Sequence, residues 1–247
     1  MFLPNVNLTV EADFRRAFGP NLSHRNRARA SPGPGDRVTT ERARRIAILT
    51  FDGFNELDSF IAAGILNRMR PAGWEVRIAA PTPEITSMNG VTIQRQAPLE
   101  YAAEAEAVLI GSGVRTREVA ADPALLARII LDPTRQLIGA QCSGTLLLAK
   151  LGLIGSLPAC TDLTTKPWVI EAGVEVLDAP FVAHGNVATA GGCLASQYLA
   201  AWTIARLASI GDAEAAIHYV APVGEKDIYV ERAMAVVTPF MERSLAA

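Results

Sequence analysis

The chain has 247 residues, 50% of them hydrophobic and 19% charged, and a formal net charge of −2. This composition is typical of a well-buried globular protein and excludes a mainly disordered one. The charge is unevenly distributed, because residues 1–45 hold nine Lys or Arg and four Asp or Glu, whereas the rest of the chain is acidic. An acidic domain argues against nucleic-acid binding by residues 46–247.

The first 44 residues are predicted to form a basic, poorly ordered N-terminal extension. Residues 31–36 are rich in Pro and Gly, as linkers are. Glu11 and Asp13 argue against a transit peptide, and no apolar signal segment follows the start. The segment is either a poorly ordered tail or the product of a start codon placed too early. Residues 45–247 are predicted to form one domain.

Short apolar runs alternate with helical patterns along the rest of the chain. Strands are predicted at 46–51, 74–80, 107–110, 137–140, 159–161, 174–177, 181–184 and 187–190, with a small hairpin at 85–95. Helices are predicted at 56–69, 122–131, 145–151, 167–172, 193–209, 212–219 and 228–245. This order predicts an α/β fold with a mostly parallel sheet and helices on both of its faces.

Cys142 lies on an abrupt predicted turn from a strand to a helix. The small residues Ser143 and Gly144 follow it, where the backbone must bend sharply. This arrangement is typical of a nucleophile elbow, and the start of the helix behind it favours a thiolate and can hold an oxyanion. The alternative is a buried cysteine in an ordinary turn, since free Cys is among the most buried residue types.

Two other turns are predicted to share one edge of the sheet with Cys142. The turns at 52–58 and 111–113 both follow predicted strands. In parallel α/β sheets, ligands bind in the crevice at the carboxyl ends of the strands. Because reactive groups cluster in such crevices, this convergence favours a nucleophile over a buried structural thiol at position 142.

Four stretches carry a resemblance to a known family. They read FDGFNELD at 51–58, LIGSG at 109–113, AQCSGT at 140–145 and VAHGNVATAGG at 182–192. In this order and spacing, residues from about 45 to 208 resemble the DJ-1/PfpI superfamily, relatives of the class I glutamine amidotransferases. The resemblance implies a flavodoxin-like, doubly wound fold and a homodimer. Within the superfamily, the Leu-Asp ending of the first stretch is most similar to the isocyanide hydratase branch.

The resemblance also implies roles for individual residues. Cys142 matches the nucleophile, and Asp58 matches the acidic residue that touches it. Burial beside the sulfur would raise the pKa of Asp58 and suit it to accept and donate protons. Glu56 competes for this role, but an acid in the first turn of a helix is also explained by the helix dipole.

Other positions are expected to complete the pocket. The Ser143 and Gly113 amides, joined by Ser112, would bind developing negative charge, although Gly113 is also explained by a tight turn. Protease-like members carry His directly after the nucleophile, where this chain has Ser143. Several relatives have a pocket His where this chain has Asp162, which is otherwise explained as a cap for the following turn. Asp162 would change the charge of the pocket.

The remaining polar residues give weaker signals. Cys160 and Cys193 have no partner at metal-ligand spacing, so no metal is expected, and Cys193 is either a core thiol or a residue of the pocket. His184 and His218 are placed poorly for catalysis. The Gly-Ser-Gly turn at 111–113 is too short to bind a dinucleotide, so no cofactor is expected.

Taken together, these features predict a cofactor-free enzyme in which Cys142 attacks a small electrophilic molecule and Asp58 transfers protons, as in an isocyanide hydratase. Glyoxalase or hydrolase chemistry at the same cysteine is an alternative, and so is a non-catalytic module that senses ligands or oxidants. Three scattered cysteines favour a reducing cytoplasm, and the apolar stretches are too short to span a bilayer. The expected partners are a small-molecule substrate and a second copy of the chain, not a membrane.

Overall fold

The computed structural model describes residues 43–241, so the predicted extension at 1–44 lies almost wholly outside the described residues. Within them, the strands are β1 (Arg44–Leu49), β2 (Trp74–Ala80), β3 (Glu84–Thr86), β4 (Thr92–Gln94), β5 (Ala97–Pro98), β6 (Ala107–Ile110), β7 (Leu137–Gln141), β8 (Phe181–His184) and β9 (Val187–Ala190). The α-helices are α1 (Glu56–Leu66), α2 (Thr116–Ala120), α3 (Pro123–Leu126), α4 (Gly144–Lys150), α5 (Lys166–Glu171), α6 (Ser196–Leu207), α7 (Ile210–Val220) and α8 (Lys226–Val237). Short 3₁₀ helices span Asn67–Ala72, Leu99–Glu104, Cys193–Ala195 and Thr238–Phe240.

Seven strands form one sheet in the order β5-β2-β1-β6-β7-β9-β8. Neighbouring strands are parallel except for β8 and β9, which pair antiparallel at one edge. Strands β3 and β4 form a separate antiparallel hairpin close to the predicted position, 85–95. The prediction of an α/β fold with a mostly parallel, doubly wound sheet is confirmed. Strands β6 and β7 are buried along their whole length, which explains why they are uninterrupted by charged residues.

Successive residues of the central strands pack into two different apolar layers, one on each face of the sheet. Ile46 and Ile48 join the layer formed with α1, α6, α7 and α8. Ala47 and Leu49 join the opposite layer, which includes α4 and α5. This alternation is the period of two expected for a strand buried on both faces. Within residues 43–241, no helix combines the length and the apolar character needed to cross a membrane.

Several predicted elements differ in extent from those observed. The helix predicted at 122–131 is limited to Pro123–Leu126, and the strands predicted at 159–161 and 174–177 are reduced to a single bridge between Ala159 and Val176. Helix α2 (Thr116–Ala120) was not predicted. It is short, begins directly after the Gly113 turn and packs against α4, so tertiary contact and not local propensity stabilises it.

The start of α4 is packed too closely for any side chain at Gly144. A Cβ atom there would lie 2.6 Å from the Ile110 carbonyl oxygen and 2.8 Å from that of Gly111. We therefore expect Gly144→Ala to lower the free energy of unfolding by about 1–3 kcal/mol, since overpacking forces backbone to move. The control is Gly64→Ala on the exposed face of α1, where no atom lies within 4 Å of the new methyl group. That change should stabilise by about 0.5–1 kcal/mol. Urea unfolding of both variants checks this, and equal stabilities would contradict it.

Candidate active site

Cys142 has a backbone conformation that L-residues rarely adopt. Strand β7 ends at Gln141 and α4 begins at Gly144, so the chain reverses its course across Cys142 and Ser143. The φ angle of Cys142 is +48°, and within residues 43–241 it is the one residue other than glycine with a positive φ. Such a conformation costs roughly 1–2 kcal/mol. A strained turn between a strand and a helix is the geometry of a nucleophile elbow.

Hydrogen bonds hold this strained residue on both sides. The Cys142 N–H donates to the Ala190 carbonyl oxygen at 2.8 Å, which ties the turn to the end of β9. The Cys142 carbonyl oxygen accepts from the Thr161 hydroxyl at 2.8 Å and from the Thr145 N–H at 3.1 Å. The Cys142 side chain is 3% exposed. The sulfur is therefore fixed in position in a nearly closed site.

Asp58 reaches the site from the first turn of α1. The Asn55 N–H donates to the Ser112 carbonyl oxygen at 2.8 Å, which joins the start of α1 to the turn after β6. The Ser112 hydroxyl in turn donates to Asp58 Oδ2. Asp58 is 2% exposed, and its Oδ1 atom is buried without a hydrogen-bond partner among the described residues. An oxygen of Asp58 and the sulfurs of Cys142 and Cys193 all lie within 4.8 Å of one another.

The electrostatics of this cluster favour protonated groups. Burial raises the pKa of Asp58, against the opposing effect of the Ser112 hydroxyl, and the charge of Asp162 raises it further. Burial also raises the pKa of the Cys142 thiol, and the neighbouring Asp58 carboxylate adds to the effect. The prediction of a favoured thiolate is therefore wrong for this geometry. A seven-residue helix behind Cys142 does not offset burial next to a carboxylate. The sulfur needs a nearby base when it reacts.

The two amides predicted to bind negative charge differ in their contacts. The Gly113 N–H points to the hydroxyls of Thr116 and Ser143, at 3.1 Å and 3.2 Å. These two hydroxyls also lie 2.8 Å apart. The Ser143 N–H donates to no group among residues 43–241. The Ser143 amide of this buried residue therefore keeps an unused donor, whereas the Gly113 amide would become available only after those hydroxyls turn away.

Asp162 has the contacts of a turn cap. Its carboxylate accepts from the N–H groups of Thr164 and Thr165, at 2.9 Å and 3.0 Å, and from the Thr165 hydroxyl at 2.6 Å. The Thr165 hydroxyl lies 2.6 Å from the Thr161 hydroxyl, which in turn holds the Cys142 carbonyl. Asp162 thus supports the segment that anchors the elbow, and it acts on the site through its charge.

Glu56, the other candidate for the role of Asp58, forms its hydrogen bonds outside the Cys142 cluster. It accepts hydrogen bonds from the Ser87 hydroxyl and, at 2.8 Å, from the Asn89 side-chain amide. The Ser87 hydrogen bond is the main cause that lowers the pKa of Glu56. This carboxylate holds the turn between β3 and β4. The structure therefore places Asp58, and not Glu56, beside the sulfur of Cys142.

From the sequence, Cys193 could be either a core thiol or a residue of the pocket. The structure places it in the cluster with Asp58 and Cys142. It opens the 3₁₀ turn after β9, and its sulfur accepts from the Asn55 side-chain amide at 3.2 Å. The Gln141 amide donates to the Cys142 sulfur at 3.5 Å and to the Gly192 carbonyl oxygen at 2.7 Å. The signal in the sequence was the pair of glycines directly before Cys193, at the carboxyl end of a strand next to β7.

Cys193 was expected to have no partner at metal-ligand spacing, but the structure brings it close to two possible ligands, Asp58 and Cys142. In the described part of the chain, Asp58, Cys142 and Cys193 are the one group of such side chains close enough to share an ion. Linear spacing did not reveal it, because the three residues follow different strands. Both thiols would have to lose their protons to bind a metal. Cys160 lies outside the cluster; burial raises its pKa to about 12, and its N–H donates to the Thr189 hydroxyl at 2.8 Å.

The family model of the DJ-1/PfpI family matches residues 44–205, which is most of the chain described above. The chain belongs to the DJ-1/PfpI family. The match covers the elbow, the Asp58 turn and the segment that carries Cys193, so every residue of the cluster lies in the family region. No curated protein matches the chain.

Solved structures of DJ-1/PfpI proteins have the same fold. Schizosaccharomyces pombe DJ-1 is 16% identical with a TM-score of 0.61, and the alignment covers 72% of this chain and 99% of that one. Drosophila melanogaster DJ-1beta is 20% identical with a TM-score of 0.62, covering 72% and 97%. A ThiJ/PfpI family protein from Pseudomonas syringae is 20% identical with a TM-score of 0.62, covering 85% and 95%. At these identities, the likeness establishes the fold alone.

Proposed function

We propose that this DJ-1/PfpI chain is a cysteine-dependent enzyme that acts on a small electrophilic molecule, with hydration of an isocyanide to an N-formamide as the leading reaction. The observation that carries the proposal is the pairing of a strained, buried cysteine with a buried acid. The Asp58 carboxyl and the Cys142 sulfur lie within 4.8 Å, and one carboxyl oxygen has no other hydrogen-bond partner among the described residues. That oxygen can take the thiol proton when the sulfur attacks.

The first half of the reaction forms a covalent intermediate. The Cys142 sulfur bonds to the terminal carbon of the isocyanide while its proton passes to Asp58. Asp58 then delivers this proton to the same carbon, which gives a thioimidate and restores the carboxylate. Burial, which raises the pKa of Asp58, suits the group to hold a proton for this transfer. The near-complete burial of Cys142 and Asp58 favours a compact substrate.

The second half of the reaction consumes water. Water adds to the thioimidate carbon, with Asp58 as the base, and the nitrogen gains the proton that water loses. The carbon–sulfur bond then breaks, the new hydroxyl becomes the formamide carbonyl, and its proton returns to sulfur. The sum is isocyanide plus water to N-formamide. The Ser143 amide, which has no acceptor among residues 43–241, would bind the oxygen of the tetrahedral intermediate.

The same pair of residues supports glyoxalase chemistry on a 2-oxoaldehyde, in which the sulfur adds to the aldehyde and Asp58 moves a proton between carbons. Peptide hydrolysis is a weaker candidate, because the residue directly after the nucleophile, where protease-like members have His, is Ser143. The DJ-1/PfpI fold also supports the proposal that two copies of this chain form a homodimer. We place the protein in the cytoplasm because a reduced cysteine is required for the reaction.

A substrate panel tests the proposed function. Native protein, Cys142→Ala and Cys160→Ala are each incubated with alkyl and aryl isocyanides, 2-oxoaldehydes and peptides, and products are measured by mass spectrometry. We expect formamide from an isocyanide with the native protein and with Cys160→Ala, and none above background with Cys142→Ala. Lactate-type products would favour the glyoxalase alternative. Turnover of no compound by the native protein would contradict enzymatic function on these classes.

A further inference from the structure

The active site holds a second thiol that the proposed reaction does not use. Cys193 lies on the 3₁₀ turn between β9 and α6, and its sulfur is within 4.8 Å of the Cys142 sulfur. It is less buried than Cys142, which is 3% exposed. The two sulfurs share Asp58 as a neighbour. A thiol in this position can react with the sulfenic acid of Cys142.

We propose that Cys142 and Cys193 form a reversible disulfide when a hydroperoxide reaches the site, with Cys193 as the resolving thiol. The inference goes beyond the proposed hydration, since it concerns oxidation of the resting protein and needs no organic electrophile. It also gives Cys193 a function, whereas neither packing nor the proposed reaction explains why a thiol lies at this position. It also makes the activity of Cys142 dependent on peroxide.

The steps balance with hydroperoxide as the only oxidant. Cys142 sulfur attacks the outer peroxide oxygen, the O–O bond breaks, and the alcohol leaves with the thiol proton, giving the sulfenic acid of Cys142. Cys193 sulfur then attacks the Cys142 sulfur, its proton joins the departing hydroxide as water, and the S–S bond forms. A dithiol reductant restores both thiols. Asp58 is the nearest base for both proton transfers.

Two amide groups support reaction at both sulfurs. The Asn55 amide donates to the Cys193 sulfur at 3.2 Å, and the Gln141 amide donates to the Cys142 sulfur at 3.5 Å. Hydrogen bonds of this kind stabilise negative charge on sulfur. Because one donor precedes α1 and the other ends β7, each thiol has its own partner as its proton leaves.

The turn that carries Cys193 can bring its sulfur closer. A disulfide requires the two sulfurs to approach to about 2.05 Å. Cys193 is the first residue of a three-residue turn and follows Gly192, whose φ is +86°. The Cys142 backbone is instead held by hydrogen bonds to Ala190 and Thr161. We therefore expect Cys193 to make most of the movement, by rotation of its side chain and adjustment of this turn.

The proposal is tested with the full-length chain and one equivalent of hydrogen peroxide. Free thiols are then alkylated and the protein is digested without reduction. For the native protein we expect a Cys142–Cys193 cross-linked peptide, a loss of two alkylation sites, and their recovery after dithiothreitol. Cys160→Ala is the matched control and should give the same cross-link, since Cys160 lies outside the cluster.

Cys193→Ser keeps the size of the side chain and removes the resolving thiol. We expect no cross-link in this variant, and its Cys142 should be trapped by dimedone as sulfenic acid. In a separate sample without dimedone and with excess peroxide, Cys142 should gain two oxygens as sulfinic acid, at least tenfold more than in the native protein treated in the same way. Oxidation of native Cys142 to sulfinic acid at the same rate as in Cys193→Ser, with Cys193 left alkylatable, would overturn the proposal. Because the measurement is of thiols and not of turnover, it does not depend on whether any isocyanide is a substrate.

Discussion

A Cys142→Ala variant is expected to fold normally and to lose turnover by about three orders of magnitude or more, since removal of an attacking nucleophile eliminates the covalent route. The substitution leaves the backbone hydrogen bonds to Ala190 and Thr161 in place. Alanine at a φ of +48° bears the same strain as cysteine, so the unfolding free energy should change little. Turnover rate and thermal unfolding, measured on the same preparation, separate the two effects.

The control for this variant is Cys160→Ala, which removes another buried thiol from the same protein. Cys160 is fully buried, and its loss tests whether removal of any core sulfur impairs the protein. We expect this control to retain turnover with some loss of stability, because it leaves a small cavity. Comparable turnover in Cys142→Ala and the native protein would mean that Cys142 does not react with the substrate.

Replacing Asp58 with Asn is expected to lower turnover by about 10²- to 10⁴-fold, the range typical of a general acid–base group. Asn has nearly the same shape and can still accept from the Ser112 hydroxyl, so the site should keep its geometry. It cannot take the proton from Cys142. Steady-state kinetics should show the loss mainly in kcat, and wild-type kinetics in Asp58→Asn would contradict a role in proton transfer.

The same variant is expected to be more stable than the native protein at neutral pH. Burial raises the pKa of Asp58 in the folded state above its ordinary value of 3.8. Below that ordinary value both the folded and the unfolded chain hold the proton, so the carboxyl has no effect on stability. Between that ordinary value and the folded-state pKa, the unfolded chain loses the proton while the folded chain keeps it, so stability falls as pH rises; above the folded-state pKa the penalty stays constant.

Urea unfolding of Asp58→Asn and native protein across this pH range measures the difference. We expect the stability gain to be largest at neutral pH and to vanish in acid. A gain that persists unchanged in acid would assign the effect to packing and not to charge.

Much of the fold could be predicted from the sequence because local patterns specify it. Strands β2, β6, β8 and β9 have the predicted bounds, since each is a compact apolar run flanked by turn residues. Asn favours the N-cap position of helices, and the Asn55 side chain caps α1 by accepting from the Leu57 N–H. Helix α2 could not be predicted, because five residues without a strong pattern depend on packing against α4.

The site could be predicted only in part, because several of its features depend on contacts that form in the folded chain. The positions of Cys142 and Asp58 follow from motifs, but the direction of the Gly113 N–H depends on where the Thr116 and Ser143 hydroxyls lie. The protonation of Cys142 depends on burial in the folded chain, which a motif does not give. The grouping of Cys193 with Cys142 requires β7 and β9 to be neighbours, and only the sheet order reveals that.

The cluster around Cys142 is assembled from parts of the chain that are far apart in sequence. Asn55 and Cys193 are 138 positions apart, and Asp58 and Ser112 are 54 apart. Bringing such segments together requires closure of long loops, whose entropic cost is met only when the whole sheet forms. No fragment that ends before residue 193 contains the whole cluster. During synthesis, Cys142 therefore gains its second thiol, and the Ala190 carbonyl that holds its backbone, only after the segment carrying β9 and Cys193 has joined the fold.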